Sequence, residues 1–221
     1  MNTSELRWAC IVVAGDDATS FLDGQLSQSI SATETGTWSC VLDPSSVVIA
    51  SLWVRGGPSS YELLVAKDLC EIVVARLRRF LLRVRVTIEV TDAQNPPLTT
   101  LKELDDHQWP WVAEYARELT PHSFGASFVA KTVSFSKGCF TGQELVGRMD
   151  ARGATMPWRF ALVAGPTLDE LERVVTSYGP VGPKGVTTVL DEGAVRAFAI
   201  VHRSALSTSA NTSGVDIRAI D

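Results

Sequence analysis

Apolar and polar positions along the chain change period several times, and each change predicts an element. Trp8–Val13 is a short, β-branched apolar run and predicts a strand. Asp16 and Asp17 then offer an N-cap to a helix on which Phe21, Leu22 and Leu26 recur at helical spacing. Trp38–Leu42 and Val47–Val54 predict two strands joined by Asp43-Pro44-Ser45-Ser46, a turn whose proline presets φ. Arg55-Gly56-Gly57-Pro58-Ser59-Ser60 closes a further hairpin onto a strand over Tyr61–Ala66. Asp68 and Glu71 have capping-box spacing, ahead of a helix with Leu69, Val73, Leu77, Phe80 and Leu81 on one face. Val84–Val90 alternates apolar with polar and predicts another strand.

Asp92–Thr100, with Pro96-Pro97, reads as a linker. Pro110–Leu119 predicts a short helix with proline in its first turn, and Pro121–Lys131 reads as a loop. After Gly153 the character changes. Trp158–Ala164, Arg173–Thr176, Val186–Leu190 and Ala194–His202 predict strands with Gly/Pro turns between them. The expected class is therefore α+β: a composite α+β region over residues 1–153, then a small C-terminal β-barrel over 154–221. There is no internal repeat, and the one biased tract is Ser204–Gly214.

Composition narrows the function classes. A chain of 221 residues, 45% hydrophobic with a net charge of -5, buries a core without disulfides or a structural metal. A pI near 5.3 argues against nucleic-acid binding by general electrostatic attraction. The longest apolar stretches fall far short of the ~20 residues that cross a bilayer, and Met1-Asn2-Thr3-Ser4-Glu5 lacks the features of a secretory leader. Cys10, Cys40, Cys70 and Cys139 lie about 30 or more residues apart with no C-x-x-C, which disfavours zinc and iron–sulfur ligation. Three of them sit among apolar neighbours as small hydrophobes, and a reducing cytoplasm is the expected address. His107, His122 and His202 are scattered, so no metal site is expected. No G-x-S-x-G, phosphate-loop or dinucleotide fingerprint occurs. Arg76, Arg78, Arg79, Arg83 and Arg85 read either as solvated faces of a helix and the strand after it or as an RNA or phosphate patch. Trp109 and Trp111, flanking Pro110, read either as packing or as a stacking surface for a flat ligand.

Chemistry concentrates in Phe135-Ser-Lys-Gly-Cys-Phe-Thr-Gly-Gln-Glu-Leu-Val-Gly-Arg148. Thr141 and Glu144 have capping-box spacing at the mouth of a helix, and Leu145 and Met149 share a face. Lys137, Gly138 and Cys139 precede it with a cation, a flexible glycine and a thiol. A helix N-terminus favours anions and thiolates, so the segment reads as an anion-tolerant pocket edge with a candidate reactive cysteine. The alternative is structural: a cap, two turn glycines and an inert thiol.

Lys137-Gly-Cys-Phe-Thr-Gly-Gln-Glu-Leu-Val-Gly-Arg148, followed by Arg152-Gly153, resembles the signature of the folate-binding YgfZ proteins, relatives of the aminomethyltransferase (T-protein) of the glycine cleavage system. Val13–Asp16, Phe21–Leu26, Phe80–Arg83, Val175–Ser177 and Ala197–Arg203 resemble flanking family segments in the same order. The resemblance implies two α+β units and a C-terminal β-barrel around a central cavity that takes tetrahydrofolate or a folate derivative. It also implies an accessory role in assembly or repair of iron–sulfur enzymes, with iron–sulfur client or assembly proteins as partners. On that footing Cys139 is the candidate catalytic residue, and Lys137, Gly138, Gln143, Glu144 and Arg148 are the candidate ligand-binding residues. Glu144 suits a pterin, whose exocyclic amine and adjacent ring N–H are two donors side by side. Arg148 would orient that carboxylate or meet the acidic tail of the ligand, and Lys137 is a second candidate for the tail.

Two departures bear on activity. Aminomethyltransferases carry a carboxylate on the strand after the first hairpin, whereas this region reads Val48-Ile-Ala-Ser51-Leu-Trp53, with Asp43 the nearest acid. Pro121-His122-Ser123 stands where a Gln-Glu pair is usual. The alternatives to a binding protein are a folate-dependent one-carbon transferase and a scaffold that has lost the ligand.

Overall fold

Trp8–Ala14 (β1) is buried along nearly its whole length, which is why its sequence runs apolar instead of alternating. In the computed structural model, which describes residues 7–30, 33–94, 119–153, 155–177, 189–191, 194–207 and 214–219, β1 lies between two antiparallel neighbours. These are Ser60–Ala66 (β4) and Thr87–Asp92 (β5). Thr33–Leu42 (β2) and Val48–Gly57 (β3) complete a five-stranded antiparallel sheet of order β2-β3-β4-β1-β5. The turn between β2 and β3 is held by Asp43, whose carboxylate accepts the Val47 N–H at 2.9 Å. Ala18–Gln25 (α1) contributes Phe21 and Leu22 to the core, and Cys70–Arg78 (α2) contributes Val73 and Leu77 while packing on β1 and β3.

Several boundaries move. The helix expected from Asp68 to Leu81 is a 3-10 turn, Lys67–Leu69, leading into the shorter α2, and β5 starts at Thr87 instead of Val84. Pro121–Lys131 is a 3-10 turn, Pro121–Phe124, followed by helix Ala126–Thr132 (α3), where a loop was expected. Phe124 and Phe128, four residues apart, stack at 4.7 Å and are fully buried, so the segment folds onto the core. The linker's end, the helix expected at Pro110–Leu119 and both Trp109 and Trp111 lie mostly or wholly outside the described residues.

Gln143–Ala151 (α4) leads to the second unit. There Trp158–Gly165 (β6) pairs with Ala194–His202 (β8) and Asp216–Ala219 (β9), and Val189–Asp191 (β7) pairs with β8. The order β7-β8-β6-β9 leaves two edges among the described residues, so the expected barrel is here an antiparallel sheet. The strand expected at Arg173–Thr176 is instead part of a helix, Leu168–Ser177 (α5), and Ser204–Ser207 (α6) is a single turn. Leu171 and Val175 sit one helical turn apart and are both fully buried, an amphipathic stripe that overrides the local β-branched run.

Alternation along β6 couples the two units. Phe160 and Leu162 join the large core of the first sheet, whereas Ala161 and Val163 join a second cluster with Leu171 and Val175. The ring of Phe160 lies 5.3 Å from that of Phe124. The second sheet is thus covered by α5 on one face and by the 3-10 turn and first core on the other.

Candidate functional site

The segment 137–144 crosses the end of α1 and the β2–β3 turn before opening α4. Lys137 anchors it. Its Nζ donates to the carbonyls of Leu26 at 2.9 Å and Gln28 at 3.1 Å and to Asp23 Oδ1 at 3.1 Å, with the side chain 3% exposed. The Phe140 ring lies 5.5 Å away on the same interior side. Burial pushes the Lys137 pKa down, opposed by Asp23. An ammonium has three donors, and all three are engaged within the protein. Lys137 is therefore a buried clamp between the loop and α1.

Gly142 forms the second seam. Its φ of +84° is left-handed, and a Cβ there would stand 2.7 Å from the Asp43 carbonyl oxygen. Ser46, itself at φ 64°, donates its hydroxyl to the Gly142 carbonyl at 2.5 Å. The Thr141 N–H reaches the Gly24 carbonyl at 3.4 Å. Glycine at 142 is thus required by close approach to the β2–β3 turn.

That requirement displaces the expected capping box. With Gly142 as N-cap, Thr141 precedes the cap and Glu144 stands one position too early, and no side chain caps α4. The loop is closed by Gln143 instead: its Oε1 accepts the Phe140 N–H at 3.3 Å while its own N–H donates to the Phe140 carbonyl at 3.2 Å.

Gly138, Cys139, Glu144 and Arg148 remain on the outer side. Cys139 is the exposed thiol among the four, and a Cβ at Gly138 would meet nothing within 4 Å. Glu144 is 86% exposed and paired with Arg148 at 2.5 Å across one turn of α4, whose buried residue is Val146. Both side chains are more than half exposed. They form an open shelf on α4. The structure leaves Cys139, Glu144 and Arg148 exposed and pairs the last two, while Lys137 and Gln143 take structural tasks.

Asp23, Ser46 and the Gln143–Phe140 pair escaped the sequence reading. The Asp-Gly of Phe21-Leu-Asp-Gly-Gln-Leu26 held the one available hint, since a carboxylate at a helix end invites a cation. Asp43, the acid nearest to the position expected of a transferase, spends its carboxylate on the turn amide of Val47. Ser51 stands buried on β3. Among the described residues no cluster of three or more His, Cys, Asp or Glu suits a metal ion, and no helix is long and apolar enough to cross a membrane.

No protein-family model and no curated protein matches the sequence. A crystal structure of the glycine cleavage system aminomethyltransferase T from Bartonella henselae does match the fold. It has a TM-score of 0.58 and 11% identity, covering 91% of this chain and 78% of that one. At this identity the likeness is one of architecture: the chain has an aminomethyltransferase-like α+β fold.

Proposed function

We propose that the chain is a folate-binding protein of the YgfZ type, taking tetrahydrofolate or a folate derivative at the shelf formed by Gly138, Cys139, Glu144 and Arg148. It serves as an accessory factor for assembly or repair of iron–sulfur enzymes. The observation that carries the reading is the coincidence of an aminomethyltransferase-like fold with a Lys-Gly-Cys-Phe-Thr-Gly-Gln-Glu segment held rigidly within it. Lys137 and Gly142 tie the loop to α1 and the β2–β3 turn, while its thiol and the Glu144–Arg148 pair of α4 stay exposed. Glu144 accepts the amine edge of the ring, Arg148 is released toward the ligand's carboxylates, and Cys139 stands at the reacting side. The iron–sulfur role rests on the motif resemblance. One-carbon transfer is disfavoured because Asp43 is committed to its turn and β3 carries no acid from Val48 to Val54.

Calorimetric titration with tetrahydrofolate tests the reading. Wild type is expected to bind, and Glu144→Ala to bind roughly tenfold or more weakly, the loss of a charged hydrogen-bonding partner being worth about 1.5–3 kcal/mol. Absence of heat in the wild type would overturn it.

A further inference from the structure

Ile72, Phe80 and Leu82 are large apolar side chains left exposed on α2 and the turn after it, by 42%, 41% and 85% respectively. Arg76, Arg78, Arg79 and Arg83 are interleaved with them, and no acid occurs from Ile72 to Val86. The Arg76 guanidinium lies 4.4 Å over the Phe80 ring, so the charged and apolar groups form one surface. Arg76 is held below its ordinary pKa by burial and by the neighbouring Arg79, against a weaker pull from Asp43. Among the described residues these four arginines pair with no carboxylate, whereas Arg7, Arg55, Arg85, Arg148 and Arg173 each do. Arg83 adds strain. Its φ of 61° is left-handed, a conformation disfavoured for a residue with a side chain, and it sets the chain just after the projecting Leu82.

An exposed apolar patch rimmed by charge marks a protein contact, and arginine with aromatic neighbours is the composition of interface centres. We propose that α2 and its following turn are a docking surface for an acidic protein segment that also carries apolar side chains. Ile72, Phe80 and Leu82 cover its apolar groups, and Arg78, Arg79 and Arg83 receive its carboxylates, which arginine binds in bidentate fashion. Charge complementarity selects this occupant. A long nucleic acid meets the whole molecule's net charge of -5 and gains little from Leu82 and Ile72. A short acidic segment senses the local arginines within a screening length of about 8 Å.

The test pans a random dodecapeptide display library on the full chain and measures the enriched peptides by fluorescence anisotropy. Enriched sequences are expected to combine Asp or Glu with Leu, Ile or Phe. Binding should weaken roughly tenfold or more in Arg79→Glu/Arg83→Glu and again in Phe80→Ser/Leu82→Ser, with thermal unfolding little changed because these side chains are exposed. Arg173→Glu, on α5, should leave binding unchanged. No enrichment, enrichment of peptides without acids, or wild-type binding by either double variant overturns the proposal. So does tighter binding of poly-uridine or phosphatidylserine vesicles through the same arginines.

Discussion

Lys137 and Cys139 stand two residues apart and face opposite environments. In the sequence both belong to one motif, and nothing local separates them. The acceptors of Lys137, the carbonyls of Leu26 and Gln28, are more than one hundred residues away along the chain, so its burial is invisible to spacing. Lys137→Met removes the donor from two carbonyls and leaves Asp23 without its cation. The two carbonyls left without a donor cost about 2–4 kcal/mol together, with little added by the part-exposed Asp23. Urea unfolding should show that loss, and a change below about 1 kcal/mol would mean the clamp is not structural. Cys139 behaves oppositely. Burial pushes the Cys40 thiol up to about 12 and raises those of Cys10 and Cys70, which removes their thiolates from reaction. Native alkylation with iodoacetamide, followed by mass spectrometry, should therefore modify Cys139 first. A first adduct on any of the other three contradicts the geometry.

Helix starts show which signals are legible and which are not. Three pairings in the sequence suggest caps, and none of those side chains caps a helix. The carboxylate of Asp17 turns to Arg85, accepting its backbone N–H at 2.9 Å and its guanidinium at 3.1 Å, which holds the Asp17 pKa down. Asp68 lies within the 3-10 turn Lys67–Leu69 and pairs with Arg7 at 3.6 Å. Thr141 is displaced by the Gly142 seam. A working box occurs at Thr167-Leu-Asp-Glu170, in a stretch whose Val-Val-Thr ending suggested a strand. There the Thr167 hydroxyl accepts the Glu170 N–H at 3.3 Å and donates to its carboxylate at 3.2 Å. The two threonines make a paired test: Thr167→Ala should cost about 1 kcal/mol and Thr141→Ala less than about 0.5 kcal/mol in chemical denaturation. Equal losses would show that the Gly142 start of α4 is misplaced. Strands β1, β3 and β4 were legible because each is largely apolar and flanked by Gly, Pro or Asp, whereas of β2 only the apolar half Trp38–Leu42 was, its polar start Thr33–Thr37 giving no signal. Pro121–Thr132 was not, because Gly125, at φ 101°, breaks its periodicity between Phe124 and Phe128.

The two sheets meet at the 3-10 turn Pro121–Phe124, where Phe124 packs on Phe160 of the second sheet and His122 faces α4. His122 is 11% exposed, and neither ring nitrogen has a hydrogen-bond partner. Asp150 Oδ1 stands 3.7 Å from Nε2, too far to bond but close enough to attract a proton. Burial prevails over that attraction, and the imidazole pKa lies below its ordinary 6.5. The native state thus binds fewer protons than the unfolded chain, whose histidine titrates normally. Stability from this site is fully present above pH 6.5 and is lost as pH falls from there toward the lower native pKa, with a slope no steeper than about 1.4 kcal/mol per pH unit for one proton. His122→Leu keeps the apolar packing and removes the titration. Urea midpoints measured from neutral pH into the acid range should fall more steeply for wild type than for the variant. Parallel profiles would show that the turn between the two sheets carries no buried neutral imidazole, and a steeper variant would reverse the assigned sign.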